Sequence, residues 1–135
     1  MAKSFRFRKA KGTLAENELI HRFWDNGWVC VRVAGSGSGR YPSPDLLASR
    51  GDRKIVMEVK VIGGIKKYFS KKEIDDLNLF ANKFAAESWV GVQFEKKQWH
   101  FIPVSELDIS KQGNFSIDLI SMKRKGFTFE DMIGF

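Results

Sequence analysis

The chain has 135 residues, with 23 Lys and Arg against 16 Asp and Glu and a formal net charge of +7. That length suits one domain with a real core, and 43% apolar with 29% charged residues is a soluble globular balance. No apolar run approaches a membrane span, no hydrophobic signal core is evident, and the lone Cys30 excludes an internal disulfide.

A positive field of this size suits a polyanion. Nucleic acid is expected ahead of an anionic membrane, because no basic amphipathic helix is evident. Residues 1–12 carry five basic residues and no acid. They read as a flexible basic arm, with Lys9 and Lys11 available to phosphates, and 13–135 as a single domain. Thr13 to Asn26 reads as the first helix, with Leu19, Ile20, Phe23 and Trp24 as its apolar stripe and Gly27 as its stop. Thr13 and Glu16 fit a capping box, which accounts for Glu16 structurally. His21 and His100 are too few for a zinc cluster or a Cys/His nucleophile pair.

Trp28 to Val33 is a strand of β-formers. The stretch 34–40 is a Gly/Ser loop that matches neither a P-loop nor the dinucleotide fingerprint. Its bare backbone lets a phosphate approach closely, with Ser36, Ser38 and Arg40 as donors. Asp45 opens a short apolar run to Ala48, and Ile55 to Val61 forms a second strand. On that strand Ile55, Met57, Val59 and Val61 share one face, while Glu58 and Lys60 share the other. Val56 adds an apolar residue to the second face, so the strand reads as central and covered on both sides.

Gly63 and Gly64 open a loop bearing Lys66, Lys67 and Tyr68. Ser70 to Glu73 is a second capping box, starting a helix to about Phe84 with Ile74, Leu77, Ala81 and Phe84 as its core stripe. Ser88–Phe94 and Gln98–Val104 read as a strand pair around a charged turn. The stretch 105–122 is ambiguous, and 128–135 reads as a short amphipathic helix. The order predicts an α/β fold, a mixed sheet flanked by helices.

A carboxylate and an ammonium inside such a sheet are costly unless paired, hydrogen-bonded or metal-bound. If the two strands form a hairpin, Asp45 and Glu58 converge on one divalent cation with Lys60 beside them. Two carboxylates supply hard oxygen ligands for Mg²⁺ or Mn²⁺, and the Val59 carbonyl can add a third. A metal lowers the pKa of bound water, and a nearby lysine stabilises the charge that develops in phosphodiester hydrolysis. Taken singly, Glu-x-Lys is often a surface ion pair and Pro-Asp a turn; their combination favours a nuclease site.

These residues resemble the archaeal Holliday junction resolvases, within the restriction-endonuclease-like nuclease superfamily. The likeness runs through 11–16 (KGTLAE), 31–37 (VRVAGSG), 44–48 (PDLLA), 58–60 (EVK) and 99–104 (WHFIPV). It implies a restriction-endonuclease-like core and a Mg²⁺-dependent homodimer that nicks opposing strands of a four-way junction. It implies that Asp45 and Glu58 bind metal and that Lys60 assists the water. It returns Glu16 to the active site, in a metal-shell role compatible with capping. Ser36 matches a loop serine needed for activity, and Arg32 a basic residue used on DNA. Lys66 and Lys67 are further DNA contacts on charge. The family often has Arg where this chain has Asn17 and Lys where it has Gln93, so that some phosphate contacts are either absent or supplied elsewhere, with Lys96 and Lys97 as candidates.

Twelve phenylalanines and four tryptophans supply more aromatic surface than a small core needs, and part of it suits a dimer contact. The C-terminal segment is weighed as a docking element for a partner such as a sliding clamp, against packing on its own domain, which the pattern favours. The expected site of action is the cytoplasm, in association with the nucleoid. The competing readings are a duplex endonuclease of the same fold and a basic DNA-binding module without catalysis.

Overall fold

The computed structural model describes residues 2–35, 39–95 and 97–135, with side chains described from Thr13 onward. Helix α1 (Ala2–Asp25) leads into strands β1 (Val29–Arg32), β2 (Leu46–Arg50), β3 (Arg53–Ile62) and β4 (Lys66–Phe69). Helix α2 (Lys71–Phe84) precedes β5 (Glu87–Phe94) and β6 (Trp99–Pro103). A 3₁₀ turn (Val104–Glu106), β7 (Asp108–Ile109), β8 (Phe115–Asp118), α3 (Leu119–Lys125) and α4 (Phe129–Ile133) complete the chain.

The main sheet has the order β1-β2-β3-β5-β6, with β3 at its centre. Its pairings are antiparallel except β3 with β5, whose parallel crossover is carried by α2. The alternation along β3 divides the interior into two cores. Ile55 and Met57 pack beneath α1 and α4 with Leu19, Phe23, Phe129 and Met132. Val56 faces the opposite core with Ile74, Leu77 and Ala81 of α2, where Ile117 and Met122 also lie. The mixed sheet flanked by helices is therefore the expected architecture.

Four details depart from the sequence reading. Helix α1 begins at Ala2 rather than Thr13. Residues 2–11 contain only helix-permissive side chains, and Gly12, which costs about 1 kcal/mol inside a helix, is carried by the long packed helix after it. Thr13 is thus an interior residue and the Thr13–Glu16 capping box is absent, as is the expected helix boundary after 12. Lys66 to Phe69 is a strand rather than a loop, held by antiparallel pairing with β8 in a small sheet β4-β8-β7. That pairing also resolves the ambiguous stretch, whose short strand buries Ile117. Phe84, expected in the core, is exposed.

The second capping box is present. Ser70 Oγ accepts the Glu73 amide at 3.0 Å, while Glu73 Oε2 accepts the Ser70 amide at 3.0 Å. Cys30 is buried, and burial pushes its thiol up to about 12, an inert state. The C-terminal segment packs on its own domain, with Phe129 and Met132 in the core.

Arg53 ties that segment to the sheet. Its guanidinium donates two parallel 2.8 Å bonds to Glu87 and a 2.9 Å bond to the Met132 carbonyl. It also lies 5.2 Å from the Trp28 ring centroid. Such bidentate and stacked geometry is specific to arginine. Arg53→Ala is expected to cost about 2 kcal/mol in denaturant unfolding, with Arg53→Lys recovering less than half.

Candidate functional site

Strand β3 is twice as long as β2, and the site forms where β2 stops. The last β2–β3 pair is Leu46 with Met57, so the second half of β3 has β5 on one side and no strand on the other. Asp45 occupies the vacated ladder position. Its backbone amide donates to the Met57 carbonyl at 3.1 Å, and its Oδ2 accepts the Val59 amide at 2.9 Å. A residue's N–H and C=O leave a strand on the same side. The Val59 carbonyl is therefore turned to the edge that Asp45 covers.

The open edge lets both faces of the sheet meet in one cleft of about 580 Å³. Glu16 of α1, Arg32, Asp45, Glu58, Val59 and Lys60 all line it, as does Arg40. Seven expected site residues are thus brought together. Lys66 and Lys67 stand on β4 outside the cleft, with the Lys66 ammonium 4.9 Å from the Tyr68 ring centroid. Lys97 pairs with Glu95 at 3.4 Å in the β5–β6 turn and does not reach the cleft. Ser36, Ser38 and Lys96 lie outside the described residues, as do the side chains of Lys9 and Lys11.

The carboxylates are crowded. Burial pushes Glu58 from an ordinary 4.5 up to about 8, and the Asp45 charge adds to the rise. Burial also raises Glu16, again with Asp45 adding and with Arg32 opposing. Burial by itself would lower Lys60, but the Glu73 and Glu58 carboxylates outweigh it and hold the ammonium above its usual value. Lys60 Nζ stands 3.1 Å from Glu73 Oε1 and 3.9 Å from Glu58 Oε2.

Glu73, Thr13, Lys72 and Asp76 also line the cleft and were not expected at the site. The capping box explained Glu73 fully, and no local spacing relates it to Lys60. The only hint was that a helix following β3 must cover the face that bears Glu58 and Lys60.

The group fits a hard divalent cation. Two facing carboxylates, one held protonated by its burial and by its neighbour's charge, offer oxygen donors beside the Val59 carbonyl. Among the described residues no three acidic, His or Cys side chains converge as a closed cage. Mg²⁺ characteristically uses one or two carboxylates and keeps several waters.

A family model described as archaeal Holliday junction resolvase (Hjc) matches residues 7–135. The chain belongs to that family. It is 38% identical over 110 residues to the crossover junction endodeoxyribonuclease Hjc of Archaeoglobus fulgidus, covering 82% of this chain and 80% of the relative. The enzyme of the same name from Sulfurisphaera tokodaii is 32% identical over 127 residues, covering 93% and 87%. The solved structure of the Archaeoglobus fulgidus Hjc, described as a Holliday junction resolvase, superposes with a TM-score of 0.82 at 32% identity. It covers 90% of this chain and 98% of that one. The family's restriction-endonuclease-like core is thus the fold found here.

The raised Glu58 makes a pH prediction. Between about pH 4.5 and about pH 8 the folded protein holds a proton that the unfolded chain has released, so stability falls as pH rises through that window. Metal-free wild type should therefore lose thermal stability between about pH 5 and about pH 9 by more than Glu58→Gln does. Calorimetry in EDTA reads this, and parallel slopes would mean that Glu58 titrates normally.

Proposed function

We propose that the chain is a crossover junction endodeoxyribonuclease that resolves four-way DNA junctions by paired nicks, using Mg²⁺ with Mn²⁺ as a substitute. The observation that carries this is the meeting of Asp45, Glu58 and Lys60 at the open edge of β3, in a cleft flanked by Arg32 and Arg40, within a chain of this family. Asp45, Glu58 and the Val59 carbonyl would hold the metal, with Glu16 in electrostatic reach of Asp45. A bound divalent cation lowers the pKa of water and offsets charge on the phosphate.

The chain's own groups do the rest. The Val59 amide keeps the Asp45 carboxylate from rotating. The Lys60 ammonium, a compact cation, stands ready for charge developing on the phosphoryl oxygens. Arg32 and Arg40 are placed to take flanking phosphates, contacts that position DNA without reading bases.

Paired nicks need two sites, and we assign their pairing to a homodimer. An apolar groove formed by Tyr41, Pro42, Leu79, Phe80, Lys83 and Phe84 shares Tyr41 and Pro42 with the catalytic cleft. Leu79 and Phe84 on the outer face of α2 are exposed at 45% and 40%. A two-fold contact here holds two clefts at a set distance, as junction geometry requires. Among the described residues no helix is long and apolar enough to cross a membrane. An intracellular, nucleoid-associated location accords with a DNA substrate.

The deciding experiment compares a labelled four-way junction with a linear duplex of the same arms, in Mg²⁺ and in EDTA. Symmetric nicks on the junction alone, lost in EDTA and in Glu58→Ala, are expected. Equal cutting of the duplex would overturn junction selectivity, and binding without cutting would make this a DNA-binding module. Leu79→Glu should shift the protein from dimer to monomer mass in light scattering; an unchanged mass would move the contact elsewhere.

A further inference from the structure

Lys60 has an acidic partner that belongs to neither the metal group nor the strand it sits on. Glu73 uses its two oxygens for different purposes. Oε2 is held by the Ser70 amide at 3.0 Å and lies 3.4 Å from Ser70 Oγ, while Oε1 accepts Lys60 Nζ at 3.1 Å. A carboxylate clamped by a helix start cannot follow its partner, so the ammonium is anchored to α2. Helix α2 is itself seated on β3 through Ile74, Leu77 and Ala81.

The next carboxylate to Lys60 Nζ is Glu58 at 3.9 Å, and Asp45 also acts on it. These are the groups read above as metal ligands. An ammonium without a counter-ion of its own is drawn toward them and competes with the cation for the same oxygens. We propose that Glu73 is a positioning residue for Lys60: by supplying the ammonium's counter-charge from α2, it holds Lys60 in the cleft and keeps it from closing on the Asp45 and Glu58 oxygens that the metal would use. The inference rests on the metal-dependent nuclease reading and adds to it a residue whose structural explanation, a helix cap, was already complete.

Capping and positioning separate cleanly. Glu73→Gln keeps an oxygen for the Ser70 amide, because glutamine also closes a capping box, but removes the charge. Ser70→Ala removes the other half of the box and leaves the Glu73 carboxylate. The readout is Mn²⁺ affinity of the DNA-free full chain by calorimetry, with junction-cleavage kcat as a second measure. Glu73→Gln should weaken Mn²⁺ binding and kcat by about 10-fold or more, the usual cost of losing such a support. Ser70→Ala should lower Tm by about 4 °C and leave both within about twofold.

A double-mutant cycle decides the mechanism. In a Lys60→Met background, Glu73→Gln should no longer weaken Mn²⁺ binding, because no ammonium remains to misplace. An equal loss in both backgrounds would show that Glu73 acts only through its field on the metal and would overturn the inference. So would retained Mn²⁺ affinity in Glu73→Gln, or a loss in Ser70→Ala as large as that in Glu73→Gln. Wild type that binds no Mn²⁺ would remove the nuclease reading, and the inference with it. Wild type that binds Mn²⁺ but cuts no junction would overturn the substrate alone.

Discussion

One hydrogen bond, from the Val59 amide to the Asp45 carboxylate, marks the place where the sheet stops being a sheet and becomes a site. A central strand ordinarily satisfies both of its edges with neighbouring backbones. Here β2 ends five residues before β3 does, and a side chain takes over from the missing strand. The substitution satisfies the buried amide, fixes a carboxylate, and opens an edge through which residues from both faces can meet. Without it, Glu16 beneath the sheet and Glu58 above it would be separated by continuous backbone.

The remaining electrostatics follow from that opening. Acids from α1, the β2 lead-in and β3 share a half-buried space, and their mutual repulsion is answered in two ways. Glu58 keeps its proton to about pH 8, and Lys60 is paired with an acid from α2. This condition is compatible with the divalent cation proposed above, which would bring two positive charges and displace one proton.

The alternation at 55–61 made β3 legible as the central strand, because opposite faces of one strand must bury in opposite cores. Asp45, Glu58 and Lys60 were readable together because a β-hairpin brings its two strands alongside over a short sequence separation. Glu16 was different. Its spacing from Thr13 argued for a cap, and only the family likeness returned it to the site, since nothing local reports that Glu16 lines the cleft. The start of α1 was misjudged for a similar reason: a plausible cap at Thr13 outweighed the absence of any helix breaker before Gly12. Lys66 and Lys67 were grouped with the DNA contacts on charge alone. Their strand is defined by pairing with residues 115–118, some fifty positions later, which no local pattern announces.

The division of the interior also bears on how the protein comes to be active. The cleft draws Glu16 from the helix that seals one core and Glu73 from the helix that seals the other. Its central strand is completed by a parallel partner that arrives only after α2 has crossed over. A chain with one core assembled and the other open would hold part of the acidic cluster but not the whole of it. On the proposed reading of the cleft, hydrolysis would then require both cores to be closed, and a partly folded chain would lack the complete site.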